Sequence, residues 1–111
     1  MSFYQNIIPN QLAQAAVTTS TATVYTVPTA TRTIIKDINI TAGSSISVTI
    51  YFVPSGGTAG TGNIFLNTVP VNTGSSYFHW VGTQILPAGS TIQVVATGTG
   101  GNIFISGGEA T

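Results

Sequence analysis

The chain has 111 residues, of which 42% are hydrophobic and only 4% are Asp, Glu, Lys or Arg, against roughly a quarter in an ordinary soluble domain. Two basic residues balance two acidic ones, and there is no Cys. Nucleic acid is therefore not an expected partner, because phosphate-binding surfaces need several Lys and Arg. Disulfides and thiolate metal sites are excluded. A surface with so few charges is expected to lie against other protein.

Residues 1–20 contain large apolar side chains that follow no sustained period. These residues are Phe3, Tyr4, Ile7, Ile8 and Leu12. We interpret residues 1–20 as an N-terminal arm that docks on another protein, and residues 21–111 as a single domain; packing of the segment on its own domain is the alternative. Polar residues and Pro9 interrupt any signal-peptide core, and no stretch reaches the ~18 apolar residues of a membrane span. A membrane is not an expected partner.

From residue 22 onward, apolar and polar residues alternate with period two, which is typical of half-buried strands. The predicted strands span residues 22–28, 32–42, 45–53, 63–71, 76–87, 91–97 and 102–106. The segment 76–87 could also be two strands kinked at Gly82. Short strands at this spacing, separated by Gly, Pro, Asn and Ser, predict an all-β fold. We expect an antiparallel β-sandwich or jelly-roll-like barrel of seven or eight short strands.

Two predicted strands indicate which side chains form the core. In the third strand, one face carries Ile46, Val48, Ile50 and Phe52. We expect this face to pack across the sandwich against inner residues such as Ile92 and Val94. In the second strand, Ile34, Ile38 and Ile40 share a face that Lys36 interrupts.

Residues that could support catalysis or bind a metal are scarce. His79 is the single His, and a nucleophilic triad would need Asp37 or Glu109 to orient it. Glu109 follows two glycines in an apparent tail, which is a poor place to hold a carboxylate pair. The glycine-rich loop at residues 55–62 lacks the Lys of a phosphate-binding loop. We therefore expect neither an enzyme, nor a metal site, nor a cofactor.

An aromatic cluster at residues 77–80 is the most distinctive side-chain feature. Strand alternation places Phe78 and Trp80 on one face and Tyr77 and His79 on the other. The favoured interpretation is a core or a subunit interface. The alternative is a glycan-binding face formed by Tyr77, His79 and Trp80, because an exposed Trp can stack on a sugar ring.

Three segments carry a resemblance to a known class of protein. They are YTVP at Tyr25–Pro28, VPSGGTAG at Val53–Gly60 and LPAGSTIQ at Leu86–Gln93. With them, residues 22–111 resemble small all-β structural proteins common in the virion gene clusters of tailed bacteriophages.

The resemblance implies a structural protein of the virion. Because the chain is one short domain, it implies a capsid decoration, or cement, protein that binds the outer shell and stabilises contacts between capsid subunits. The implied partners are the major capsid protein and copies of the chain itself, assembled in the host cytoplasm. A tail or baseplate component, with or without a glycan-binding face, is the alternative.

Overall fold

The computed structural model describes residues 7–71 and 77–111 of the chain. These residues form eight strands and a short 3-10 helix at Thr61–Asn63. The strands are β1 (Ile7–Ala16), β2 (Ala22–Thr26), β3 (Arg32–Ala42), β4 (Ile46–Val53), β5 (Ile64–Val71), β6 (Tyr77–Leu86), β7 (Thr91–Ala96) and β8 (Gly101–Ala110). The final GGEAT sequence is therefore not a tail, because β8 continues to Ala110.

The strands form two four-stranded antiparallel sheets that pack face to face. Sheet A has the order β1-β8-β3-β6, and sheet B has the order β2-β7-β4-β5. Each connection crosses to the other sheet except that between β4 and β5, which stays in sheet B. The predicted antiparallel sandwich is confirmed, and its strand order is that of a jelly roll.

The N-terminal segment is part of the sandwich wherever the structure describes it. Strand β1 pairs with β8 along its whole length, and both Ala13 and Val17 are buried in the core. Residues 7–17 thus belong to the domain and are not a separate arm, which corrects the boundary expected at residue 21. The period-two alternation of β1 is not evident in the sequence because Leu12 is an extra residue opposite β8, and such a bulge shifts the alternation by one position.

Inward-facing Val and Ile side chains from both sheets form one core. As predicted, the β4 residues Ile46, Val48 and Ile50 are buried, and Phe52 packs at the margin of the core. Ile92 and Val94 are also buried, but they lie beside β4 in sheet B and not across from it. The opposing layer comes from sheet A: Ile35, Ile38, Ile40, Ile103 and Ile105. Each such side chain contributes about 1.5–3 kcal/mol relative to exposure.

A bulge in β3 decides which of its isoleucines reach the core. The prediction placed Ile34 on the core face with Ile38 and Ile40. In the structure, Lys36 is an extra residue opposite β8, because its neighbours on β3 pair with adjacent residues of β8. The extra residue reverses the alternation. Ile35 is therefore fully buried, whereas Ile34 faces outward and is half-buried.

Aromatic side chains close the sandwich between edge strands β5 and β6. Phe65 stacks on Phe52 with ring centroids 4.2 Å apart, and its ring meets Trp80 edge to face at 5.0 Å. Both arrangements suit the charge distribution of aromatic rings. The three rings join β4 and β5 of sheet B to β6 of sheet A.

A polar cluster joins the two sheets elsewhere in the sandwich. The Tyr25 hydroxyl on β2 donates to Glu109 on β8 and lies 2.7 Å from the Thr33 hydroxyl on β3. Burial of the phenol, followed by its hydrogen bond to the Glu109 carboxylate, raises the pKa of Tyr25 to about 12. Glu109 therefore has a defined structural partner.

Candidate functional site

The outer face of sheet A consists of the side chains that alternate away from the core. On edge strand β6 they are exposed, and they are Tyr77, His79, Val81, Thr83 and Ile85. On the adjacent β3 they are Ile34, Lys36, Asp37, Asn39 and Thr41. These ten residues define the outer face of sheet A below.

Three large, exposed side chains lie in a line along β6. Tyr77 is 65% exposed, Val81 67% and Ile85 60%. A spacing of four residues along a strand places successive members about 13 Å apart. Ile34 of β3 lies directly opposite Ile85, so apolar side chains adjoin at that end of the line, and adjoining apolar side chains indicate an interaction surface more strongly than scattered ones do.

The charged side chains of this face gather at the β3 bulge, which turns both Lys36 and Asp37 outward. His79 Nε2 lies 2.6 Å from Asp37 Oδ2, and Lys36 Nζ donates to Thr83 Oγ1 at 2.8 Å. The side chains of His79 and Asp37 are 39% and 36% exposed. Water therefore screens this pair, and its contribution to stability is at most about 1 kcal/mol.

A shallow depression of about 310 Å³ opens on the same side of sheet A, where β1, β8 and β3 meet. Its lining is Pro9, Ile34, Lys36, Gly107 and Gly108. Gly107 is required by space, because a Cβ there would lie 1.9 Å from the Ile34 carbonyl oxygen. The volume is at the lower end of the range for ligand pockets, and the side chains in the lining, apart from Lys36, are apolar.

Strand β6 divides the aromatic cluster in the way its alternation predicts. Tyr77 and His79 are on the outer face, whereas Phe78 and Trp80 pack against the core. Gly82 makes room for the indole, because a Cβ there would lie 2.7 Å from the Trp80 ring. The structure does not bring Tyr77, His79 and Trp80 to one face, so a sugar-stacking surface that needs the Trp ring is not assembled there.

Of the five residues predicted for an assembly interface, three lie on β1. Phe3 and Tyr4 lie outside the described residues, and Ile7 begins β1. Ile8 is 56% exposed, whereas Leu12 is half-buried against the core. Of the described side chains in this set, Ile8 is the one that remains available to a partner.

Among the described residues, the Asp37–His79 pair comes closest to a catalytic arrangement. It lies on an open sheet surface, whereas acid–base chemistry benefits from a site that excludes water. Within residues 7–71 and 77–111 there is no group of three or more His, Cys, Asp or Glu that could hold a metal ion. The same residues include no helix long and apolar enough to cross a membrane.

The three segments that carry the phage resemblance meet at one end of the sandwich. The Val27 amide donates to the Ser90 carbonyl at 2.9 Å, and the Gly89 amide donates to the Val27 carbonyl at 3.1 Å. Gly89 has a φ of 83°, and a Cβ there would lie 2.5 Å from the Ser55 hydroxyl. These segments therefore have a structural role, since they form a packed set of turns.

Sequence reasoning missed Val81, Ile85 and Ile34 as surface residues. Alternation continued from Tyr77 and His79 would have placed Val81 and Ile85 on the same face. No local signal marks Ile34, because its orientation depends on the bulge at Lys36.

No family model matches the chain, and no curated protein matches it. Among solved structures, the structure of infectious bursal disease virus Gt strain aligns with 98% of this chain at 12% sequence identity and a TM-score of 0.45. The alignment covers 33% of that chain, so the present chain spans about a third of its length. A similarity this distant does not bear on function.

Proposed function

We propose that this protein is a structural component of a virus particle, namely a capsid decoration protein that binds the outer shell and stabilises contacts between capsid subunits. The outer face of sheet A is the observation behind the proposal. Tyr77, Val81 and Ile85 are each at least 60% exposed in a chain with only 4% charged residues. In water, burying such a surface against another protein is favourable.

The fold and the sequence resemblance support the same proposal. Jelly rolls occur in viral capsid domains and in lectins, so the fold alone leaves both functions open. The lectin-like option loses its best stacking residue, because Trp80 packs against Phe65 in the core. The resemblance to phage virion proteins favours a structural role in a virus particle, and the short single-domain chain favours the capsid within it.

In the proposed mechanism, the outer face of sheet A lies on the shell across a boundary between capsid subunits. An apolar side chain of the shell fills the depression beside Ile34, and the Lys36, Asp37 and His79 side chains fix the orientation. Buried apolar area contributes about 25 cal/mol per Å² before the costs of association. Many bound copies would together resist separation of the capsid subunits.

The test is binding of the purified protein to capsids from which it has been removed. Ile34→Lys places a charge in the wall of the depression, and we expect at least a tenfold loss of co-sedimentation with capsids. Val95→Lys makes the same kind of change on the outer side of sheet B, where Val95 is half-buried opposite Thr49, and should bind normally. Decorated capsids should also melt at a higher temperature than stripped ones.

Absence of capsid binding by the unmodified protein would contradict the proposal, and equal losses for the two variants would contradict the assignment to sheet A. Immunogold labelling of intact virions separates the capsid from the tail or baseplate alternative. Label confined to the tail would replace the decoration role.

A further inference from the structure

Strand β6 is the least protected of the four edge strands. Sheets usually guard their edges with prolines, charges, bulges or very short strands. Strand β1 contains Pro9 and the bulge at Leu12, and β2 has five residues. Strand β5 contains Pro70 and a left-handed residue, Thr68, with a φ of 49°. By contrast, β6 has ten residues with no Pro, Asp, Glu, Lys or Arg, and its one irregularity is at Gly82 and Thr83, which together lie opposite Lys36 of β3.

We infer that β6 pairs antiparallel with β6 of a second copy of this chain, which joins two copies of sheet A into one eight-stranded sheet. The inference concerns the protein in solution and does not rest on the proposed role at the capsid. No other described strand pairs with the outer edge of β6, and the pairing would satisfy the backbone donors and acceptors along both edges. The outer face of sheet A would stay open and double in area.

The side chains of β6 select one register for this pairing. Residues directly opposite each other in an antiparallel pair point to the same face, so a two-fold axis must pass through a residue. An axis at Val81 sets Tyr77 opposite Ile85 of the second copy and His79 opposite Thr83. Apolar residues then face apolar ones, and polar face polar. An axis one residue later would set His79 opposite Ile85 and mix the two kinds.

The inner side of the same register is also compatible. Trp80 would lie opposite Gly82 of the second copy, which has no side chain of its own. Within one chain, Gly82 already makes room for the Trp80 ring.

The charges near β6 are complementary in this register. Within each copy, Asp37 bonds His79 and Lys36 bonds Thr83. With His79 opposite Thr83 of the second copy, the Asp37–His79 pair of one copy lies beside the Lys36–Thr83 pair of the other. The two-fold axis repeats this arrangement, so Asp37 of each copy is directed toward Lys36 of the other. This charge complementarity favours a second copy as the partner of β6 and favours the antiparallel orientation.

Cysteine cross-linking tests the register, and the absence of native Cys makes every added thiol unique. Opposed Cβ atoms in such a pair are about 4.5–5.5 Å apart, close to the about 3.5–4.5 Å of a disulfide. Under mild oxidation, Val81→Cys should form a covalent dimer at least tenfold faster than Gln14→Cys, an exposed thiol on β1. Tyr77→Cys should cross-link poorly by itself but readily when mixed with Ile85→Cys.

Sedimentation velocity tests the association itself. The unmodified protein should sediment at twice the chain mass, and Val81→Lys, which puts two like charges on the axis, should be a monomer. Because Val81 is 67% exposed, Val81→Lys should keep the melting cooperativity of a folded domain, and Val81→Thr should remain a dimer. A monomeric unmodified protein at high concentration, a dimeric Val81→Lys variant, or equal cross-linking at Gln14 and Val81 would overturn the inference. Capsid binding is measured separately, so its failure would leave these outcomes unaffected.

Discussion

The two outer faces of the sandwich differ, although both sheets bury similar Val and Ile side chains. On the central strands of sheet B, the outward residues are half-buried, and they are Ser47, Thr49, Tyr51, Thr91, Gln93 and Val95. On β6 of sheet A the outward residues are exposed and include Val81 and Ile85. The nearby Lys36 and Asp37 supply charge to this side as well.

This difference shows how a chain with almost no charge can still have two distinct sides. On the central strands of sheet B, four of the six outward residues carry short hydroxyl or amide groups that can hydrogen-bond to water, and the two larger ones, Tyr51 and Val95, are half-buried. Sheet A combines exposed apolar side chains, a depression and a small polar patch, which are the elements of a protein interface. In the proposed function, sheet B faces solvent and sheet A faces the partner.

The largest expected effect comes from placing a charge on the buried side of sheet B. Ile50→Asp should prevent folding, because Ile50 is fully buried and an unpaired buried carboxylate costs several kcal/mol, comparable to the roughly 5–15 kcal/mol stability of a domain. Val95→Asp, on the outer side of the neighbouring strand, should remain folded. Circular dichroism and thermal melting of both variants provide the check. A cooperative Ile50→Asp transition at the unmodified temperature would show that this face is not core.

Gly107→Ala should be the next most damaging change, because it attacks the floor of the depression on sheet A. The added Cβ would lie 1.9 Å from the Ile34 carbonyl oxygen, and backbone of a paired strand cannot easily move away. We expect a loss at the upper end of the about 1–3 kcal/mol typical of overpacking, or more. Gly43→Ala is the control, since its Cβ would meet the Gly100 carbonyl oxygen at an ordinary 3.8 Å. Equal urea midpoints for the two variants would contradict this reading of Gly107.

A smaller effect is expected at the hydroxyl that links the two sheets. Tyr25→Phe removes the donor to Glu109 and should cost about 1–3 kcal/mol, the penalty for leaving a partly buried charged acceptor short of a partner. The pKa of Tyr25 is raised from 10.0 to about 12, so folding favours the protonated phenol. Its stabilising contribution is complete below pH 10 and is lost as the pH rises from 10 to 12.

Melting temperatures of the unmodified protein and Tyr25→Phe across pH 8–12 test this linkage. The difference between them should be constant up to about pH 10 and should shrink above it. The other tyrosines titrate in both proteins and cancel in the comparison. A difference that stayed constant to pH 12 would show that the phenol is not held protonated by the fold.

Much of the fold could be predicted from the sequence, because alternation is a local signal that sheet burial enforces. It predicted the strands at 32–42 and 91–97 closely and divided Tyr77 and His79 from Trp80. The prediction failed where pairing between distant strands decides which side chains face inward. The bulges at Leu12 and Lys36 exist only relative to β8, so neither the status of β1 nor the outward turn of Ile34 could be read from neighbouring residues.

The candidate surface was predictable only in part for the same reason. Composition indicated that some surface should be covered, but not which one. The pairing of Asp37 with His79 spans 42 positions in sequence and depends on the β3–β6 register. The depression depends on Gly107 lying against Ile34, and no local sequence motif indicates this contact.

The smallest expected effect concerns the polar patch, and it sharpens the contrast between the faces. Asp37→Asn should change the free energy of unfolding by less than about 1 kcal/mol, because the pair with His79 is exposed and screened. A double-mutant cycle with His79→Gln should give a coupling energy of the same small size, which falls further as salt is added. In the sheet B control, Gln93→Glu adds a charge to the opposite face and should leave the coupling unchanged. If the Asp37–His79 coupling instead exceeded 2 kcal/mol and resisted salt, the patch would stabilise the fold itself. The charged residues of sheet A would then serve folding. The distinction between a solvent side and a partner side would depend only on the exposed Tyr77, Val81 and Ile85 of β6.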